Sequence, residues 1–158
     1  MISFDTNNGK FNYRSAAVIV HEHHVLLHRA MQDDFWALPG GRVEFLENSD
    51  QTVTREIFEE LGLESIVVKH LWHVENFFEY NSAKYHELSN YYLVNLVSSL
   101  NVKSEIDFEG IEHNNNLIFR WVPLANISAY NLYPKFLVGG LNELPDTTVF
   151  LQVNEINA

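Results

Sequence analysis

The stretch Arg55 to Leu63, REIFEELGL, constrains the chain more than any other, because it places three carboxylates beside one arginine. Glu56, Glu59 and Glu60 stand at positions i, i+3 and i+4, so a helix would carry all three on one side. Like charges at these spacings mildly destabilise a helix. Such a patch is either a solvated face, as charge runs usually are, or a place where a cation binds.

The flanking residues predict that this stretch ends a helix. Ser49 or Asp50 is a good N-cap, the helix would run to Leu61, and Gly62 is a C-terminal stop. Val53, Ile57 and Leu61 recur at four-residue spacing, which predicts a buried face. The carboxylates would therefore lie close to the body of the domain.

The remaining chain predicts strands around this helix. Residues 15–20, 25–28, 65–75, 87–97 and 117–122 are predicted strands, residues 21–24 a turn, residues 35–41 a loop, and residues 133–141 a short helix. Together they indicate a layered α/β domain with a mixed sheet. The tail after about residue 145 has no assigned structure.

Composition limits the function classes. With 158 residues, 46% of them apolar, the chain is expected to form one globular domain. It contains no cysteine, which excludes disulfides and thiolate metal sites. We find no signal pattern and no apolar run near ~18 residues, so we expect a cytoplasmic protein without a membrane partner. A net charge of −11 argues against an extended nucleic-acid surface but permits a nucleotide, since a metal ion supplies positive charge locally.

The three carboxylates suit a hard divalent ion. Mg²⁺ and Mn²⁺ prefer carboxylates, waters and substrate phosphates. Arg55 stands four residues before Glu59 and would brace a carboxylate. Upstream, Gly40 and Gly41 allow close approach of the backbone, and their carbonyls are further candidate ligands.

The wider spacing resembles a known family. Gly41, five residues, Glu47, seven residues and then REIFEELGL match every fixed position of the Nudix box, from Gly41 to Leu63. The preceding FWALPGG and the later WVPL (residues 121–124) are also similar to Nudix hydrolases. Thr52 and Val53 stand where small alanines are common, which we expect to affect helix packing rather than chemistry.

The resemblance implies a single Nudix domain over residues 1–158, an α/β/α sandwich with a mixed central sheet. It implies metal-dependent hydrolysis of a pyrophosphate bond in a nucleoside diphosphate linked to another group. Glu56 and Glu60 would be the main Mg²⁺ or Mn²⁺ ligands, Glu59 a third ligand or the general base, and the Gly40 carbonyl a further ligand. Arg55 and Glu47 would hold the carboxylates in position.

An alternative general base lies in the segment 104–116, where Glu109 and Glu112 are the candidates. Some Nudix enzymes take the base from such a loop, but a solvated acidic loop is an equal explanation. A loop base would need closure over the substrate. We favour Glu59, because the asparagine run of the loop gives no sign of ordering without substrate.

Candidate substrate contacts are weaker. Arg14 and Arg29 are candidates to contact phosphate or base, and Trp36 and Tyr80 to stack on a base, with core packing as the alternative for the aromatic residues. Tyr80 stands where family members that cut dinucleoside polyphosphates often carry a tyrosine. The substrate class stays open among nucleotides, nucleotide-sugars and dinucleoside polyphosphates.

Two other functions are also compatible with the sequence. A nucleotide-binding sensor domain would retain the fold without catalysis, although the intact box argues against it. An acidic interaction module would show no metal dependence. A homodimer is compatible with the family resemblance.

Overall fold

The computed structural model describes residues 1–98, 100–112, 114 and 116–156. Its strands are β1 Ser3–Thr6, β2 Gly9–His21, β3 His24–Ala30, β4 Gly40–Arg42, β5 Ser65–Tyr80, β6 Ala83–Leu96, β7 Phe108–Glu109, β8 Leu117–Pro123 and β9 Val149–Asn154. Its helices are α1 Ser49–Leu61, a 3-10 helix Leu124–Ala129 and α2 Leu137–Gly140. Among the residues described, none of these helices is long and apolar enough to cross a membrane.

The strands form one mixed sheet, as the sequence predicts. Its order is β7-β8-β3-β2-β6-β5-β9, with β1 and β4 also paired to β2. The β2–β6 and β5–β9 pairs are parallel and the other pairs are antiparallel. Strand β2 lies at the centre, so residues along it reach both the box and the far side of the molecule.

Two tight hairpins set the register of the sheet. Glu22 and His23 link β2 to β3 with φ values of 50° and 61°, and Asn81 and Ser82 link β5 to β6 with 49° and 65°. Positive φ at both central residues is the geometry whose twist matches antiparallel strands. The polar turn predicted at residues 21–24 is therefore present, although β5 and β6 extend further toward their turn than the sequence suggests.

Helices cover both faces of the sheet. Val53 and Ile57 of α1 are 0% and 1% exposed and pack with Ala17, Ile19 and Phe119. Residues one step along the same strands point to the opposite face, where they pack against the 3-10 helix and α2. The predicted buried stripe of α1 is thus confirmed at Val53 and Ile57, while Leu61 is only half-buried.

The ends of α1 follow the local sequence. Gly62 has φ 69° and donates its N–H to the Phe58 carbonyl at 2.8 Å, as expected for a glycine C-cap. The N-cap is Asn48 rather than Ser49 or Asp50, and the Asn48 N–H is bound by Gln51 Oε1 at 3.2 Å. Asn48, Ser49 and Asp50 are all of residue types that cap helices. The hydrogen bond between the Asn48 backbone and the Gln51 side chain favours Asn48 as the N-cap.

Two predictions near the carboxyl end need correction. The short helix expected at residues 133–141 is only Leu137–Gly140, preceded by Pro134 in a cis peptide bond with Tyr133. The unassigned tail forms β9, which pairs in parallel with β5. The alternating partly buried Leu151 and Val153 are the period-two pattern that indicates this strand.

Candidate active site

Arg55 organises the charged face of α1. Its Nε and Nη2 donate to the two carboxylate oxygens of Glu47 at 2.7 and 3.0 Å. Its Nη1 donates to Glu56 at 3.0 Å and to Glu59 at 3.1 Å, and Nη2 also reaches the Arg42 carbonyl at 3.2 Å. One planar guanidinium therefore holds three carboxylates in fixed positions. We call Glu47, Arg55, Glu56, Glu59 and Glu60 the box cluster.

Glu47 is the tightly held anion of this cluster. Its hydrogen bonds from Arg55, assisted by one from Thr52, lower the pKa of Glu47 to about 2 against the opposing effect of burial. Thr52 is fully buried, and its hydroxyl donates to Glu47 Oε1 at 2.7 Å. The threonine that replaces a common alanine thus supports a site residue, so its effect is not confined to helix packing.

Glu60 is the carboxyl of the cluster whose charged form is least favoured. It is 4% exposed, and burial together with the charge of Glu56 raises the pKa of Glu60 to about 8. Burial also raises the pKa of Glu56, although Arg55 opposes that shift. Among the described residues Glu60 Oε2 has no hydrogen-bond partner, and the nearest basic atom is His28 Nδ1 at 3.9 Å. Burial lowers the pKa of His28 to about 3, so this imidazole is neutral and supplies no counter-charge.

These residues fit a hard divalent ion. Two crowded carboxylates, one of them with an unpartnered oxygen, lie against a glycine backbone, and a Cβ on Gly41 would come within 2.2 Å of the Glu56 carboxyl. Oxygen donors of this kind suit Mg²⁺ or Mn²⁺. Within the described part of the chain, however, no three acidic or imidazole side chains already converge as a metal-binding group. Arg55 binds Glu56 and Glu59, so an ion would have to draw these carboxylates toward itself.

The segment with the alternative bases lies against the end of α1. Ile111 donates its N–H to the Glu60 carbonyl at 2.7 Å, and a Cβ on Gly110 would come within 2.5 Å of the same oxygen. The charge of Glu112 contributes to the raised pKa of Glu60, whereas Glu109 is exposed in β7. Glu112 therefore lies within electrostatic reach of Glu60. His113 and Asn115 of the same segment lie outside the described residues.

A cavity of about 730 Å³ opens beside the box cluster. Gly41, Arg42 and Arg14 line its near end, and Arg14 Nη2 donates to the Leu38 carbonyl at 2.9 Å. The charge of Arg14 opposes the raised pKa of both Glu56 and Glu60, which indicates that it lies within electrostatic reach of them. The far end is aromatic and acidic, lined by Asp33, Asp34, Phe35, Phe78, Glu79, Tyr80, Tyr85, Tyr133 and Glu155.

The predicted substrate contacts separate into two groups. Arg14 and Tyr80 line the cavity, and the Tyr80 hydroxyl donates to the Asp33 carboxylate at 3.2 Å. Trp36 is 7% exposed and belongs to the core, and the Arg29 guanidinium lies 5.2 Å from its ring centre. Arg29 Nη1 donates to backbone carbonyls of the following turn. Trp36 therefore packs in the core, which was the alternative to stacking on a base.

Three buried polar residues in the cavity wall escape the sequence analysis as a set. Asn12 of β2, Glu87 of β6 and Asn76 of β5 are paired directly across three neighbouring strands. All three are at most 6% exposed and line the cavity. We call them the acceptor row. Each of these strands also contains other polar residues, so nothing local distinguishes the three or indicates that they meet.

Comparison with known proteins identifies the family. The NUDIX domain profile matches residues 12–137, which include the box, the acceptor row and the 3-10 helix. The chain belongs to the Nudix family. It is 28% identical over 98 residues to a Mycobacterium tuberculosis protein that carries the name MutT4. That match covers 62% of this chain but 36% of the relative, so the chain spans about a third of the length of that relative.

Solved Nudix structures share the fold. A MutT NUDIX hydrolase from Burkholderia pseudomallei is 28% identical, with a TM-score of 0.55 over 73% of this chain and 84% of the other. A MutT protein from Bacillus halodurans has a TM-score of 0.64 at 14% identity, over 92% and 90%. An ADP-ribose pyrophosphatase from Streptococcus suis has a TM-score of 0.58 at 14% identity, over 89% and 98%. The predicted Nudix fold, an α/β architecture with a mixed central sheet, is confirmed.

Proposed function

We propose that the protein is a Nudix pyrophosphohydrolase that uses a divalent metal ion to cleave a pyrophosphate bond in a nucleoside diphosphate linked to another group. The observation that carries this proposal is the pairing of Glu56 and Glu60. The charges of Glu56 and Glu60 oppose each other, and Glu56 lies against Gly41, which lines the near end of the cavity together with Arg14 and Arg42. A cation relieves the repulsion of the acids, and the arginines suit phosphate oxygens.

The box residues have different roles in the proposed site. Glu56, Glu60 and the Gly40 carbonyl would hold Mg²⁺ or Mn²⁺, with Glu59 as a further ligand or the base. The ion supplies neutralisation of the diphosphate and of the charge that develops on the leaving phosphate. Arg55 and Glu47 keep the carboxylates in place through the hydrogen bonds described above, and Arg14 orients a phosphate oxygen.

The general base is the least determined role. Glu59 remains our choice, because it adjoins the proposed ligands and about half of its side chain, 47%, is open to solvent and water. Its hydrogen bond to Arg55 would have to loosen before it accepted a proton from water. Glu112, tied to α1 through its neighbour Ile111, is a stronger alternative than Glu109, which lies in the exposed strand β7.

Several substrate classes are candidates. The matching structures include proteins called MutT and one called an ADP-ribose pyrophosphatase, so nucleotides and nucleotide-sugars are both candidates. Tyr80 in the cavity wall keeps dinucleoside polyphosphates on the list. A cavity of about 730 Å³ has room for a nucleoside or a sugar beyond the diphosphate.

A substrate panel tests the proposal. Nucleoside triphosphates, ADP-ribose, UDP-glucose and diadenosine tetraphosphate would be incubated with Mg²⁺ and, separately, with EDTA, and released phosphate or pyrophosphate measured. We expect hydrolysis of at least one class with Mg²⁺ and none with EDTA. Binding without hydrolysis would favour the sensor domain instead, and neither binding nor metal dependence would favour the acidic interaction module. We propose a cytoplasmic location, and a homodimer stays a prediction.

A further inference from the structure

We propose that Glu87 and Asn76 are specificity-determining residues, which accept hydrogen bonds from N–H or O–H donors on a ring-shaped group of the substrate. This inference deepens the proposed hydrolysis and rests on it for the identity of the ligand as a nucleotide derivative. The ring would occupy the aromatic end of the cavity, and its diphosphate the end near Arg14.

The pairing of the strands places the two acceptors side by side. Glu87 is paired with Asn12 on β2 and with Asn76 on β5, so the three side chains project from the same face of the sheet. Glu87 is 6% exposed and Asn76 is 4% exposed, and both line the cavity. Both residues are therefore buried in the fold and contribute to the wall of the cavity.

Both groups have hydrogen-bonding capacity left. Among the described residues Asn76 Oδ1 has no partner. Glu87 Oε1 accepts from Ser89 Oγ at 2.7 Å, and Oε2 accepts only a long bond from Asn12 Nδ2 at 3.5 Å. A carboxylate has about four acceptor positions, so roughly half remain. The described part of the chain supplies no salt-bridge partner for Glu87, unlike Glu47. Buried acceptors left open in this way are costly unless a ligand satisfies them.

The neighbouring rows define where a ligand would lie. Two residues from the acceptor row in one direction, Tyr85 pairs with Phe78, and their rings stack at 4.9 Å with a 10° angle between planes. Two residues in the other direction, Arg14 pairs with Ser89. Four residues of strand span ~13 Å, which matches the reach from a phosphate to the edge of a base or sugar.

The charge of the far end limits the ligand further. Asp33, Asp34, Glu79 and Glu155 line it together with Glu87, while the arginines of the cavity, Arg14 and Arg42, are at the near end. A second anionic group would be repelled there, whereas an amino or hydroxyl donor would be attracted. The favoured ligand class is thus a diphosphate linked to a neutral, donor-bearing ring.

Matched nucleotides that differ in one donor test the inference. GTP and ITP differ in the 2-amino group, and ATP and purine riboside triphosphate differ in the 6-amino group. If the donor belongs to the base, wild-type protein should prefer the amino-bearing member of at least one pair by at least about tenfold in kcat/KM, the lower end for a good polar contact to a base. Glu87→Gln should bring that ratio below about threefold. Glu87→Gln is also assayed with ADP-ribose beside ATP. If the donor belongs instead to the terminal sugar, kcat/KM of this variant should fall at least about tenfold for ADP-ribose and not for ATP.

Two further variants protect the test from a folding artefact. Asn76→Leu removes the unpartnered oxygen at similar volume, so it should reduce the same preference while the melting temperature stays equal or rises. Glu75→Gln is the matched control, because Glu75 is adjacent on β5 and points to the opposite face, where it accepts from Gln152 at 3.1 Å. It should change no ratio by more than about twofold.

The outcomes separate this inference from the proposed function. Hydrolysis by wild type with unchanged ratios in Glu87→Gln and Asn76→Leu would overturn the specificity role alone. If wild type hydrolyses none of the substrates, calorimetry measures binding of the same nucleotide pairs. A binding preference that Glu87→Gln abolishes would support the specificity role and contradict only the proposed hydrolysis. A protein that neither cleaves nor binds these ligands would overturn both.

Discussion

The two ends of the cavity are built in opposite ways. At the box end, the box cluster comes from one short stretch of chain, Glu47 to Glu60, and Arg55 binds three of its carboxylates directly. The far end assembles Asn12, Glu87 and Asn76 from three strands, and its buried carboxylate has no cationic partner in the described structure. The difference teaches that the proposed catalytic groups are encoded locally, whereas the proposed recognition groups depend on how distant strands are paired.

The largest expected effect lies at the box end. Glu60→Gln should leave the fold intact and lower kcat at least ~100-fold with saturating Mg²⁺, the scale for losing a metal or acid–base function. Steady-state kinetics and thermal melting would measure both. Glu64→Gln, an exposed glutamate just beyond α1, is the control and should be near wild type. Full activity in Glu60→Gln would mean that the catalytic site is elsewhere.

A backbone change should act through a side chain of the same cluster. Gly41→Ala would place a methyl group within 2.2 Å of the Glu56 carboxyl and displace it. Because small displacements in an active site can cost up to ~10²-fold, we expect kcat to fall roughly 10- to 100-fold. Gly139→Ala has no neighbour within 4 Å and serves as the control. Equal kinetics in the two variants would show that Glu56 need not stay against this glycine.

The ion-paired end should also carry a pH-dependent part of the stability. Glu47 titrates at about 2 in the folded protein and near its ordinary 4.5 when unfolded, so its contribution is full above pH 5 and is lost as the pH falls toward 2. Glu47→Gln should therefore lower the free energy of unfolding by roughly 2 kcal/mol at pH 7, and by progressively less toward pH 3. Urea denaturation at several pH values measures the difference. A gap that stays constant with pH would contradict the ionic origin.

At the far end the expected effect is on binding. Tyr85→Ala removes the ring stacked on Phe78, and a stacking ring contributes ~1–3 kcal/mol per base. We expect KM to rise about tenfold with little change in kcat, because the contact is the same in the ground and transition states. If kcat fell and KM held, the two ends of the cavity would not be separable in this way.

The smallest effect is expected for the alternative base. With Glu59 as base, Glu112→Gln should lower kcat less than about tenfold, since positioned acid–base groups usually contribute ~10²–10⁴-fold. Glu109→Gln, exposed in β7, is the matched control. A loss of ~10³-fold in Glu112→Gln alone, with Mg²⁺ affinity unchanged, would move the base to the segment that Ile111 ties to α1.

The sequence predicts the box end well because the information is short-range. The helix and its buried Val53 and Ile57 follow from spacing along one segment. The hydrogen bond from Arg55 to Glu59, four residues on, follows from the same spacing. Helical periodicity also fixes which residues share a face, so no knowledge of the sheet is needed.

The far end escapes sequence analysis because register is a long-range property. Nothing near Asn12 indicates that it will pair with Glu87, which is distant in the chain. Trp36 shows the same limit: its aromatic character suits stacking on a base, but tertiary packing places it in the core between two arginines. The contact of Ile111 with α1 is likewise invisible in a polar loop sequence.

The register irregularities of β5 bear on how relatives of this protein could diverge. Two shifts, between Val67 and Lys69 and between His70 and Trp72, precede the segment that carries Asn76. At each shift β5 holds one residue more than β6, whose partner residues stay consecutive. The loss of the extra residue would therefore restore ordinary pairing and keep Asn76 opposite Glu87. A deletion at either shift would thus leave the cavity wall and every box residue unchanged, whereas a deletion between Trp72 and Asn76 would turn Asn76 and Phe78 to the opposite face together.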